Sequence, residues 1–127
     1  MNPYASPQAY RESSVLTASP EQLVVMLYDG VNRFLRQSEM ALQESNFEVA
    51  HERMNRGEAI IDELLATLDM DQGQVADRLQ AIYVYCKRCL TEARRDRDAD
   101  KVALVVRLLG ELRDAWAHVA SSTAAVA

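Results

Sequence analysis

Proline and glycine are scarce in this sequence, which has three prolines, none of them after Pro20, and four glycines. Because both residues interrupt regular helices, their scarcity favours helical structure along most of the chain. No apolar stretch approaches the roughly 18 residues of a membrane-spanning helix, and the first ten residues lack the basic and apolar segments of a secretory signal. We therefore expect a soluble protein that stays where it is made, without membrane insertion.

Cysteine is also scarce, and the sequence has no excess of positive charge. The two cysteines, Cys86 and Cys89, support no disulfide framework and suit a reducing compartment. The net charge of -5 disfavours a nucleic-acid partner, because binders of the phosphate backbone need clustered lysine and arginine. With 49% hydrophobic residues, the 127-residue chain can form one domain around one core, and its partners are expected to be proteins.

The apolar run at residues 23–28 ends in Asp29-Gly30, a pair that often marks a β-hairpin turn. The residues before it favour a helix instead. Ser19 is a good N-cap, Pro20 suits the first helical position, and Gln22 completes a capping box. Apolar residues continue after Gly30 at steps of three and four, so we predict a helix, with Gly30 allowing another helix or a bound chain to approach closely.

Three further apolar stripes with helical spacing follow, the first of them weakened by Gly57. The next begins at Val75, and the last consists of Val102, Val105, Leu109, Leu112, Trp116 and Val119. The predicted fold is all-α, an antiparallel up-down-up-down four-helix bundle with an extended N-terminal arm. The arm is predicted at residues 1–18 and the bundle at 19–121, followed by a frayed tail at 122–127. The four helices are predicted at about 19–45, 46–69, 73–96 and 98–121.

Some helical stretches carry more apolar side chains than one buried stripe needs, at residues 23–28, 81–86 and 102–109. A bundle helix buries about three positions in seven, so the other faces require cover from the arm, a partner or a second copy. We interpret the excess as a binding groove. The alternative is a self-associating structural bundle whose spare faces pair with another copy.

Candidate chemical sites are few. Glu48 and His51 have the spacing of one half of a carboxylate-bridged di-metal site, but the second copy of the motif is missing, which disfavours a carboxylate-metal bundle enzyme. Cys86 and Cys89 fall in the middle of a predicted helix on its core stripe, which favours buried structural thiols over a redox pair. We predict no enzyme activity, no metal and no cofactor.

Several segments together resemble one known family. Residues 10–20, Y-R-E-S-S-V-L-T-A-S-P, and the M-L-Y-D-G at 26–30 closely resemble the N-terminal signature of the flagellin-binding flagellar secretion chaperones, the FliS family. The likeness extends to I-I-D-E-L at 60–64, Y-V-Y at 83–85 and L-R-D-A-W at 112–116.

The resemblance implies an export chaperone that binds the disordered C-terminal segment of flagellin in the bacterial cytoplasm. Such a protein prevents premature polymerisation and aids delivery to the flagellar type III export gate, so both the flagellin segment and an export-gate component are expected partners. In the family the arm rests over part of the groove. Tyr10 matches the arm tyrosine implicated in gate docking, and we assign Val15 to the same arm. The free protein is expected to be a monomer or a weak dimer.

We assign the partner-binding groove to six residues of the second and third predicted helices, namely Ile60, Leu64, Leu79, Tyr83, Val84 and Tyr85. Leu64 and Leu79 also lie on core stripes, so a purely structural role is an equally good interpretation for them. Tyr83 and Tyr85 are favoured, because residues about 200° apart around a helix cannot both face the bundle centre.

Overall fold

The fold is a bundle of four helices in the computed structural model, which describes residues 17–126 and the side chains of residues 17–122. Each helix packs on its neighbours in the chain, and the first also packs on the last, so the helices form a closed ring. The predicted four-helix bundle is confirmed. Residues 1–16 of the predicted arm lie outside the residues that the structure describes. The helices are α1 (Pro20–Gln43), α2 (Phe47–Ala66), α3 (Gln74–Asp96) and α4 (Ala99–Val126), with a 3-10 turn at Met70–Gln72.

Helix α1 begins with the expected capping box. The Ser19 hydroxyl oxygen accepts a hydrogen bond from the Gln22 backbone N–H at 3.1 Å, and Gln22 Oε1 accepts one from the Ser19 N–H at 2.8 Å. Two backbone donors at the helix start are thereby satisfied. Asp29 and Gly30 lie inside this helix, so the helical interpretation of the Asp-Gly pair is confirmed.

Two glycines allow α1 and α2 to approach each other closely. A Cβ atom on Gly30 would lie 3.3 Å from Ile60 Cδ1, and one on Gly57 would lie only 2.8 Å from Leu35 Cδ2. Gly30 therefore allows a neighbouring helix to approach closely, as expected. Gly57, a weak point of α2 by helix propensity alone, sits at the same interface and leaves the space that the buried Leu35 side chain fills.

The backbone of helix α3 lies farther from its neighbours than the backbone of α1 does. The backbone of α1 approaches α2 and α4 along much of its length, whereas close approaches between α3 and its neighbours are fewer. Side-chain size explains the difference, because the α1–α2 interface contains glycines and the small buried residue Ser38, whose hydroxyl donates to the Ala50 carbonyl at 2.7 Å. The inward face of α3 instead carries the large side chains of Tyr83 and Leu90.

The predicted stripe of α4 is buried only over its first half. Val102, Val105 and Leu109 are fully buried, but Val119 is 46% exposed. Seventeen positions separate Val102 from Val119. At about 100° per residue, a straight helix turns Val119 roughly 100° away from the direction of Val102, because a 3.5-residue pattern drifts around a 3.6-residue helix.

Helix α4 also extends beyond its predicted end at residue 121. The helix continues through most of the predicted tail, to Val126. The segment contains no proline or glycine and includes alanines, which are strong helix formers. The Ser122 hydroxyl donates to the His118 carbonyl at 3.0 Å, a bond made within the helix.

The two thiols are part of the core. Cys86 and Cys89 are buried and form no disulfide bond with each other. Both lie on the inward face of α3, as the predicted core stripe indicated. Burial raises the pKa of the Cys86 thiol to about 12. In the described part of the chain, no helix combines the length and the apolarity that a membrane crossing requires.

Candidate functional site

An apolar cleft opens at the end of the bundle where α2 finishes and α3 begins. Its volume is about 230 Å³, and all four helices or their immediate flanks contribute to its lining. We call it the end cleft. Its apolar lining residues are Val24, Leu64, Leu68, Val75, Ala76, Leu79, Tyr83 and Trp116.

The spacing of the sequence explains why α3 lines one wall of the end cleft. Val75, Leu79 and Tyr83 follow each other at intervals of four, so their side chains lie along one face of the helix. Exposure falls along this row, from 65% for Val75 at the opening to 2% for Tyr83 at the base. The mouth of the cleft is therefore open to solvent, whereas its floor is shielded from it.

The turn between α2 and α3 forms the polar rim of the end cleft. Asp69 Oδ1 accepts a hydrogen bond from the Asp71 backbone N–H at 3.0 Å, which stabilises the 3-10 turn. Gly73 has a φ of 68°, a conformation that glycine adopts without strain, and the chain turns there into α3. Asp69 and Gln72 line the rim, so the polar groups surround the apolar floor rather than interrupt it.

Tyr83, at the base of the end cleft, contacts a second buried tyrosine, Tyr28. The hydroxyl groups of Tyr28 on α1 and Tyr83 on α3 form a hydrogen bond, and their ring centroids are 6.4 Å apart. Burial raises the pKa of both phenols above the usual value for tyrosine. Both groups are thus neutral near pH 7, and the floor presents an uncharged surface suited to apolar side chains.

A second cleft lies on the outer face of α3, between α3 and α4. Its volume is about 340 Å³, and apart from Glu111 its lining is apolar. We call it the α3–α4 cleft. The aromatic ring of Tyr85, 45% exposed, contributes to one wall. The lining residues are Ala81, Ile82, Tyr85, Leu108, Glu111 and Leu112.

The six residues assigned to the groove do not all lie together. Leu64, Leu79 and Tyr83 line the end cleft, and Leu64 and Tyr83 are buried as well, so they belong to the core and to the cleft wall at once. Tyr85 lines the α3–α4 cleft instead.

The other two assigned residues line neither cleft. Val84 is exposed on α3, and Ile60 is partly buried opposite Gly30 on α1. Tyr10 and Val15 of the arm lie outside the described residues.

Sequence reasoning missed two important parts of the end cleft, Val75 and Trp116. Both lay on predicted core stripes, and only Val75, in the first turn of α3, gave a signal that it reaches the surface. The terminal turns of a bundle helix have fewer neighbours, so an apolar stripe that continues into them is left partly open to solvent.

His51 is the histidine that the sequence analysis considered as a possible metal ligand. His51 is partly buried, and its Nε2 atom has no hydrogen-bond partner among the described groups. Within residues 17–122, no three histidine, cysteine, aspartate or glutamate side chains come together as a metal site would require. The two clefts therefore present shape and apolar surface rather than a reactive group.

Comparisons of sequence link the chain to characterised proteins. The family described as Flagellar protein FliS matches residues 2–123. The chain is 33% identical over 121 residues to the flagellar secretion chaperone FliS of Bacillus subtilis, a match that covers 95% of this chain and 88% of the relative. It is 34% identical over 110 residues to the corresponding protein of Salmonella typhimurium, covering 85% and 82% of the two chains.

A comparison of structures gives the same fold. The bundle superimposes on the crystal structure of a flagellar chaperone from bacteria with a TM-score of 0.76, over 91% of this chain and 97% of the other, at 19% sequence identity. The family match over nearly the whole chain and the relatives above 30% identity establish the relationship beyond the fold: this chain belongs to the FliS family of flagellar secretion chaperones.

Proposed function

We propose that this chaperone binds the disordered C-terminal segment of flagellin, with apolar side chains of that segment in the end cleft and in the α3–α4 cleft. The observation that carries the proposal is the apolar surface left open on α3. Val75, Val84 and Tyr85 are all exposed, and the first and last of them border the two clefts. Exposed apolar patches of this kind on soluble proteins mark binding surfaces.

The shape of the clefts favours a long, unfolded client. The two clefts lie on opposite flanks of α3, so one folded domain would not fill both, whereas a flexible chain can pass from one to the other. Helical pieces of the client lay apolar faces into such grooves, and extended pieces connect them. Ordering the chain has an entropy cost, which the burial of many apolar side chains offsets.

The consequences for the cell follow from covering this segment. Flagellin whose C-terminal segment is held on the chaperone cannot use that segment for assembly, so it stays unpolymerised in the bacterial cytoplasm. The N-terminal arm, with Tyr10 and Val15, covers part of the groove in the free protein and takes part in docking the loaded chaperone at the flagellar export gate. This role involves holding and release and requires no catalysis.

Calorimetric titration with the last ~40 residues of flagellin from the same bacterium tests the proposal, since that length suffices for two groove-binding pieces. We expect one-to-one binding with a negative heat-capacity change, the mark of apolar burial. The informative variants are Val75→Glu at the end cleft and Tyr85→Glu at the α3–α4 cleft. Both side chains are exposed, so the fold tolerates the charge, whereas a charge at the buried Tyr83 would unfold the protein.

Val119→Glu is the matched control, because Val119 on α4 is as exposed as Tyr85 and lines neither cleft. We expect each cleft variant to weaken binding roughly tenfold or more, and the control to bind like the unchanged protein. Absence of binding, by both the full chain and a truncated protein lacking residues 1–18, would refute the proposal. A stable dimer with no affinity for flagellin would favour the self-associating bundle instead.

A further inference from the structure

One position of the inward stripe of α3 carries a small residue. The stripe passes through positions 76, 79, 83, 86 and 90 at alternating steps of three and four, with leucine, tyrosine or cysteine at every position except the first, which is Ala76. We propose that Ala76 is a specificity-determining residue, because it leaves open a core position that one large apolar side chain of the client fills. The inference rests on the proposed function and concerns what the end cleft selects.

Ala76 is buried beside the end cleft but lies outside the main core. It is 3% exposed and belongs to the lining of the cleft. The continuous core of the described residues does not include it, and the fully buried part of that core on α3 begins at Tyr83. The neighbour of the Ala76 side chain on this side is therefore the cleft, and no large side chain of the bundle takes its place.

Close packing does not explain why this residue is small. At Gly57, a Cβ atom would lie 2.8 Å from Leu35 Cδ2, so a neighbouring side chain uses the space. At Ala76 the adjoining space is the open cleft of about 230 Å³. A larger apolar residue there would bury more apolar surface and stabilise the bundle. Stability that is lost at an open site in this way is typical of a position kept for binding.

The surroundings of this position favour an occupant that continues the core. Leu64 and Tyr83, on the floor of the cleft, are core residues. Val24, Leu68 and Trp116, on its walls, are partly buried and pack against that core. An apolar side chain bound here would contact side chains of the bundle on several sides, as a residue of the core does.

The volume of the end cleft suits one large side chain. An apolar cavity of about 150 Å³ is large enough to bind benzene, so a cleft of about 230 Å³ has room for a leucine or a phenylalanine side chain. A charged side chain would lose its hydration against the apolar floor. We expect a helical piece of the client to place leucine, isoleucine, methionine or phenylalanine beside Ala76.

The test fills the position from the chaperone itself. Ala76→Leu, in the full chain, is titrated calorimetrically with the last ~40 residues of flagellin from the same bacterium. We expect binding to weaken roughly tenfold or more, because the new side chain occupies the cleft. The urea midpoint should stay the same or rise, because the same side chain extends the core. Ala76→Val should fall between the two proteins in affinity.

Ala59→Leu is the matched control. It makes the same chemical change at an exposed position of α2 that lines neither apolar cleft. Its affinity for the client should equal that of the unchanged protein. A general effect of added apolar surface would instead appear in both leucine variants.

A double-mutant cycle identifies the client side chain. Each leucine, isoleucine, methionine and phenylalanine of the flagellin peptide is replaced by alanine in turn, and every peptide is titrated against the unchanged protein and Ala76→Leu. One replacement should weaken binding to the unchanged protein roughly tenfold or more, yet change binding to Ala76→Leu by less than about twofold. The side chain that it removes is the one that no longer enters the cleft.

Equal client affinity of Ala76→Leu and the unchanged protein would overturn the role of Ala76 and leave the proposed function intact. A lower urea midpoint together with weaker binding would also overturn it, because the alanine would then be required by packing. The same holds if no single replacement in the client loses its effect in Ala76→Leu. Absence of client binding by the unchanged protein, with and without residues 1–18, would refute the proposed function and this inference with it.

Discussion

Replacement of Gly57 by alanine tests whether the close approach of α1 and α2 depends on a missing side chain. The new Cβ would lie 2.8 Å from Leu35 Cδ2 and 3.1 Å from Leu35 Cγ, and Leu35 is fully buried. Overpacking of this kind costs about 1–3 kcal/mol of unfolding free energy. The higher helix propensity of alanine offsets about 1 kcal/mol of this cost. We therefore expect Gly57→Ala to lower the unfolding free energy by about 1 kcal/mol.

Gly110→Ala is the matched comparison, because it makes the same chemical change inside another helix without a clash. The gain in helix propensity from glycine to alanine is the same, and the atom nearest to the new Cβ lies 3.9 Å away. The unfolding free energy of this variant should therefore rise by about 0.5–1 kcal/mol. The difference between the two variants, about 2 kcal/mol, isolates the contact with Leu35. Urea unfolding followed by far-ultraviolet circular dichroism, with unchanged m-values, measures both. Equal stability of the two variants would refute the packing argument.

The remaining predictions concern buried ionisable groups. Because the pKa of both Tyr28 and Tyr83 is raised in the fold, the folded protein keeps protons that the unfolded chain loses above about pH 10. Stability should therefore be unaffected by this pair below that pH and fall as the pH rises above it. Urea midpoints between pH 9 and 11 measure the fall, and it should be smaller in the double variant with phenylalanine at both positions; an equal fall would contradict the assignment. The thiols of Cys86 and Cys89 should not react with a disulfide reagent at pH 8 in the native protein, and both should react in urea. Rapid labelling of the native protein would contradict their burial.

Much of the fold could be predicted from local sequence signals. The capping residues at Ser19 and Gln22 act over three positions, so they are readable without knowledge of the rest of the chain, and the structure contains the expected bonds. Asp29-Gly30 is compatible with either a hairpin turn or a helix interior. The helical spacing of the apolar residues after Gly30 correctly indicated a helix. The exposure of Val119 could not be predicted in the same way, because it depends on the angle that accumulates along a straight helix.

The candidate site was less predictable, because its shape depends on which helices approach closely. The 200° separation of Tyr83 and Tyr85 predicted that they face different directions, and the structure has one buried and the other exposed. The position of Ile60 depends on the space above Gly30 in another helix, which no pattern within α2 reveals.

The position of α3 between the two apolar clefts has a consequence for what a client can cover. One flank of α3 borders the end cleft and another borders the α3–α4 cleft. If the proposed function is correct, a client segment that fills both clefts shields α3 from solvent on two sides. A segment that fills only one leaves the apolar side chains of the other flank exposed, so the two clefts together favour a client long enough to reach both.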